Sequence, residues 1–191
     1  MQWSLLTRTE FQRLIRSRGL WLVFPIVLLT GLLIGTPQPE VSEAIGATAV
    51  IAGFQIPVVV FGGFTALIFS YRAVSHDRES GRILLVGSLP FARWEIVVGK
   101  VLGRTMAVAI PTLLAVVVGY CVRMLGGRVA SPLVLLGFLA LSACYILVTV
   151  GIGVSLSTVT RSSRPAVAGI IVYFFVMTVS WVDLVSPAIS R

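Results

Sequence analysis

The chain has 191 residues, 57% of them hydrophobic and only 12% charged, with a formal net charge of +8 and a mean hydropathy of +1.01. A soluble domain carries about 25% charged residues, so this composition argues against the water-soluble enzyme classes. A basic excess would suggest nucleic acid in a soluble protein, but in a membrane protein it marks the cytoplasmic loops.

The first 18 residues plot as a helix with one apolar side. Trp3, Leu6, Phe11, Leu14 and Ile15 share about half the circumference, Arg8, Gln12, Arg13 and Arg16 occupy most of the remainder, and Leu5 is the misfit. Thr7-Arg8-Thr9-Glu10 fits a capping box, which would move the helix start by a turn. Such a stripe predicts a helix lying in the headgroup layer over 1–18, the alternative being a cytosolic extension of the first span.

Apolar stretches then predict five membrane spans over 19–35, 45–71, 101–122, 132–159 and 165–189, each at or near the roughly 20 residues that cross a hydrocarbon core. The first could be taken for a secretory signal. It is followed by Thr36-Pro37-Gln38-Pro39-Glu40 rather than a small-residue cleavage site, so it reads as an uncleaved span. In the second span, Gln55 and Pro57 are the candidates for a polar or kinked feature on a transport pathway, with an ordinary interhelix hydrogen bond as the plainer reading. Gly31 and Gly35 match the small-x-x-x-small pattern that lets helices approach closely, and Gly62-Gly63 offers something similar.

The insert over 72–100 carries helix signals rather than linker composition. Ser75 can cap a short helix whose first turn holds Asp77 and Glu79, Ile83-Leu84-Leu85-Val86 gives it an apolar patch, and Pro90 stops it and starts the next helix through Arg93 and Trp94. The prediction is a helical elbow projecting into the cytosol. Physics alone leaves open whether another protein grips it or whether it rests on the membrane as an amphipathic loop.

Basic residues fix the orientation. Arg8, Arg13, Arg16 and Arg18 precede span one; Arg72, Arg78, Arg82, Arg93, Lys100 and Arg104 lie between spans two and three; Arg161 and Arg164 lie between spans four and five. These are 12 of the 15 Lys and Arg residues, all on one face, which by the positive-inside rule makes the N-terminus and the elbow cytoplasmic. No ionisable group sits at mid-depth: Arg104 can snorkel to the inner interface, and Arg123 and Asp183 lie near outer ends. Asp183 beside Trp181 reads as an interfacial anchor pair, or as a substrate contact on the outer side.

Catalytic chemistry is not visible. Gly99-Lys100 lacks the upstream Gly of a phosphate-binding loop, and there is no His-Glu-x-x-His, Gly-x-Ser-x-Gly or paired-Cys motif, so no catalytic or metal-binding residue is assigned. His76 reads as a solvated helix residue, and Cys121 and Cys144 as reduced core residues.

Asp77-Arg78-Glu79-Ser80-Gly81-Arg82-Ile83-Leu84-Leu85, then Ser88-Leu89-Pro90-Phe91-Ala92-Arg93, then Gly99-Lys100-Val101-Leu102-Gly103 resembles the segment after the second span of ABC-2 type transporter permeases. Arg16-Ser17-Arg18 and Ser157-Thr158-Val159-Thr160-Arg161-Ser162 also look like that family, and within it the chain is most similar to permeases found beside nitrous-oxide-reductase maturation factors. The resemblance implies an all-α membrane subunit in the plasma membrane whose elbow docks into a groove of a separate ABC ATPase. Asp77, Glu79, Gly81, Leu84, Leu85, Pro90 and Arg93 would form the coupling region, and the N-terminal helix would be the interfacial connecting helix. ATP and magnesium would be bound by the partner, with no cofactor in this chain. The family's paired subunits imply a homodimer or pairing with a related permease, with Gly31 and Gly35 as a contact. Family members usually have six spans where this chain reads as five, which fits a shortened product, a split subunit or a smaller variant.

Three functions compete: a transport subunit, a non-transporting membrane anchor that recruits a soluble partner, and a secondary carrier. The absence of mid-membrane charge and of an internal repeat disfavours the third.

Overall fold

The computed structural model describes residues 3–33, 49–70, 93–126 and 131–159, and the single positions 169, 172, 175 and 176. Among the described residues there are helices and no strand.

Helix α1 spans Trp3–Ile15. Ser17 is extended (φ −73°, ψ 118°), and beyond it follow α2, Arg18–Trp21, and α3, Val23–Leu33. The chain turns at Ser17, where the Ser17 amide bonds to the Leu14 carbonyl at 2.9 Å and the Trp21 indole donates to the Ile15 carbonyl at 2.8 Å. These bonds occupy carbonyls that the end of α1 would otherwise leave without donors. The segment Thr7–Ile15 is inclined by 74° to Arg18–Leu33.

The region expected to be one helical second span is broken. Helix α4, Ala49–Ala52, ends in a turn at Gly53 and Phe54. Helix α5, Gln55–Pro57, then leads through a π-helical segment, Val58–Gly62, into α6, Gly63–Ser70. Pro57 lies in the first turn of the restart, where its missing N–H removes no intrahelical bond.

Helix α7, Arg93–Leu125, has 33 residues and starts eight positions before the predicted third span. Glu95 in its first turn and Arg123 in its last both suit the helix dipole. Helix α8, Pro132–Val159, coincides with the predicted fourth span. Its start is legible in three residues: Ser131 accepts the Leu133 amide on its hydroxyl at 3.3 Å, and Pro132 takes the first helical position, where no N–H is needed.

Among the described residues two helices, Trp94–Leu125 and Pro132–Ser157, are long and apolar enough to cross a membrane, and the bent pair Thr7–Ile15 with Arg18–Leu33 makes a third if it counts as one crossing. Gln55–Ser70 is a shorter apolar helix. The predicted fifth span lies outside the described residues except for Gly169, Val172, Phe175 and Val176, each helical.

Helix α7 is the axis of the bundle. The buried positions between Gly103 and Arg123 recur at three- and four-residue spacing, and 56% of its apolar window is buried against 22% for α8. Along that stripe the core is layered. Ala107 and Val108 pack with Leu20, Ala66, Ile146 and Val150; farther along, Ala115 and Val116 pack with Val23, Val27, Phe54 and Val58. The outer side of α8 presents Leu133, Leu136 and Leu141, an apolar surface suited to lipid. Cys121 and Cys144 are free thiols on exposed surface, not the core residues expected. Apolar lipid-facing and apolar core positions have the same composition, so hydropathy alone could not separate them.

Phe54 is fully buried at the break. A Cβ added to Gly31 or to Gly119 would run into its ring, so two glycines from α3 and α7 make the slot it fills. The ring is held from both sides and has nowhere to move. Gly119→Val is therefore expected to destabilise the folded chain by about 1 to 3 kcal/mol through overpacking, read as a lower unfolding temperature in detergent, while Cys121→Ala on the exposed surface leaves it unchanged.

Candidate functional site

The elbow residues Asp77, Glu79, Gly81, Leu84, Leu85 and Pro90 lie outside the described residues, as does His76. Arg93 is the first residue of α7. The structure does describe the base of the segment expected to form the elbow, where α6 ends at Ser70 and α7 begins at Arg93.

That base is held by a buried ionic junction. The Glu10 carboxylate lies 3.4 Å from Lys100 Nζ and 3.3 Å from an Arg104 Nη. Lys100 and Arg104 are four residues apart and so share one face of α7. Arg104 also donates through its other terminal nitrogen to the Phe69 carbonyl near the end of α6. The three side chains are only 14%, 12% and 8% exposed, for Glu10, Lys100 and Arg104 in turn. One guanidinium thus joins α1, α6 and α7, and it is clamped inward instead of snorkelling as expected.

Gly103 makes the approach possible. A Cβ there would lie 2.8 Å from the Thr7 carbonyl oxygen and 2.9 Å from Glu10 Cβ, so the backbone of α1 rests directly on α7. Phe11 and Leu14, on the predicted apolar stripe of α1, pack against the core layer of Leu20, Ala107 and Val108. That part of the stripe faces protein and not the headgroup layer. The capping box is also not formed, because α1 begins at Trp3 and Thr7 is interior to it. Glu10, the sole acid of α1, reaches across the bundle instead. The usable signal was an isolated carboxylate on one amphipathic helix and a Lys-x-x-Gly-Arg pattern on another.

The other end of α7 carries a second buried arginine. Arg123 Nη2 donates to the Gly31 carbonyl at 2.6 Å, in the last turn of α3, where helix carbonyls lack intrahelical donors. The guanidinium also lies 5.2 Å from the centroid of the Phe54 ring, within cation–π range. Arg123 therefore ties α3 to α7 over the break in the second segment. Arg104 and Arg123 are 19 residues apart, about 28 Å along a helix, close to the roughly 30 Å of a hydrocarbon core.

Between the two arginines, the π-helical segment packs on both long helices. The Tyr145 hydroxyl donates to the Val59 carbonyl at 3.0 Å, supplying a donor where the regular helical ladder is interrupted. A Cβ on Gly63 would collide with that hydroxyl, and one on Gly62 would lie 3.2 Å from Thr112 Cγ2, next to Pro111 inside α7. The π-helical segment thus faces the part of α7 that carries Pro111.

Of the predicted pathway pair, Gln55 is exposed and Pro57 buried, so they do not share a face. At Gly31, predicted as a contact between copies, the space is filled by Phe54 of the same chain, while Gly35, Trp181 and Asp183 lie outside the described residues.

Residues 5–190 match the family model described as ABC-2 family transporter protein. No curated protein gives a match.

Proposed function

The chain belongs to the ABC-2 transporter family, and from that premise we propose that it is the permease subunit of an ABC transporter, driven by a separate ATPase through the elbow over 72–100. Family membership makes it a membrane component and not itself an ATPase. The observation that carries the coupling proposal is the junction of Glu10, Lys100, Arg104 and Phe69. It binds the segment entering the elbow, the segment leaving it and the N-terminal helix into one body.

In this reading the partner closes on ATP and magnesium and pushes the elbow. A loose elbow base would dissipate the displacement. A base fixed to α7, the axis of the core, passes it along that helix to the broken second segment and the Phe54–Arg123 contact at the far end. Two copies, or one copy with a related permease, enclose the pathway. In this reading the basic end is cytoplasmic and the plasma membrane is the location, and the likeness to permeases found beside nitrous-oxide-reductase maturation factors supports a related subtype.

The test is reconstitution with the ATPase encoded nearest to this chain. The purified permease in lipid discs is expected to bind that ATPase and raise its turnover severalfold. An ATPase that binds the permease but hydrolyses ATP no faster with it, with no substrate crossing the bilayer, would favour a membrane anchor.

A further inference from the structure

We propose that the outward face of α1 is a binding surface for anionic phospholipid headgroups, and that it fastens the base of the elbow to the bilayer surface. The proposal rests on the chain spanning a membrane. It does not depend on which ATPase, if any, drives it.

Charge is sorted completely across α1. Glu10, its only acid, is turned into the junction with α7. Arg8, Arg13 and Arg16 are exposed, as is Arg18 just beyond, and among the described residues none of the four has an ion-pair partner. The surface away from α7 is therefore cationic, and among the described residues no carboxylate pairs with it.

The depth of this face selects the partner. The junction ties α1 to Arg104, which lies about 28 Å along α7 from Arg123, so α1 sits where a hydrocarbon core of roughly 30 Å ends. Its 74° inclination to the first membrane segment lays it along that boundary and not through it. Trp21 stands at the bend, 42% exposed, with its indole N–H bonded to Ile15, as suits a ring at the membrane–water interface. Arginines at this level meet lipid phosphates, and their forked donors suit phosphate oxygens. Because Gly103 brings the two backbones into contact, a lipid held on α1 restrains α7 as well.

The experiment uses the full chain with Trp3, Trp94 and Trp181 replaced by Phe, leaving Trp21 as the fluorescent reporter. It is reconstituted in phosphatidylcholine vesicles containing a minor share of phosphatidylglycerol, with bromine on the acyl chains of one lipid or the other. Brominated phosphatidylglycerol is expected to quench Trp21 severalfold more than its share of the lipid predicts. Arg8→Gln with Arg13→Gln should bring that quenching down to about the lipid's share, while Arg16 and Arg18 preserve orientation. The same ratio, read by mass spectrometry of lipids retained by the unmodified chain, covers a failure of the reporter variant to insert. Quenching in proportion to lipid share, or enrichment that survives both substitutions, overturns the proposal. Loss of ATPase binding in the double variant with lipid enrichment intact would make the face a protein contact, and also overturns it.

Discussion

Leu84→Asp and Glu79→Lys are each expected to leave the chain inserted and folded while abolishing ATP-driven transport. Leu84 lies in the apolar patch Ile83–Val86 of the elbow, and seating an unpaired carboxylate in an apolar groove of the ATPase costs about 3 kcal/mol or more, which weakens docking more than a hundredfold. Glu79→Lys inverts a charge in the first turn of the helix expected for the elbow, which would set a cation against the helix dipole and against any basic surface the carboxylate met. The two variants fail for different reasons, so a shared phenotype implicates the elbow itself. Proteoliposomes with the ATPase present should show basal ATP hydrolysis, no stimulation by the permease and no substrate flux. Normal flux in both variants would show that the elbow does not carry the drive.

The second large effect is at the junction. Glu10→Gln removes the carboxylate that both Lys100 and Arg104 engage and leaves two cations four residues apart in a mostly buried site. Breaking a buried pair from one side costs about 3 kcal/mol, so the purified variant should unfold at a clearly lower temperature and α1 should become sensitive to protease. Adding Lys100→Gln removes one of the two cations and should restore part of the loss. A coupling of about 1 kcal/mol or more between the two substitutions is the signature of the pair. Strict additivity would mean that the contact contributes nothing. Gly103→Val tests the same joint without touching charge, since its side chain would meet the Thr7 carbonyl.

Long-range features of this chain were legible where composition determines them. The apolar run that predicts the third span falls within α7 and the one that predicts the fourth coincides with α8, because a helix of that length in lipid needs no partner to satisfy its backbone. Ser131-Pro132 marks the start of α8 for local reasons of capping and proline geometry. The elbow motif gave the family, which the match over 5–190 then shows.

What was not legible depended on contacts between distant positions. Glu10 offered a plausible local role in a capping box, and nothing local reveals a lysine ninety residues away. Gly31 presented a close-approach pattern without saying what approaches; the answer, Phe54, is set by a turn in the second segment that Pro57 hinted at and hydropathy averaged away. The π-helical segment likewise has no compositional trace, because it changes hydrogen-bond spacing and not polarity.

The claim that the elbow is the handle of an ATP-driven partner is tested most directly by photocrosslinkers placed at Ser80 and Ser88 in native membranes. The expected product is a covalent adduct with a nucleotide hydrolase, with a yield that changes when ATP is added. An abundant, correctly inserted chain that never captures such a hydrolase from either position would contradict the account.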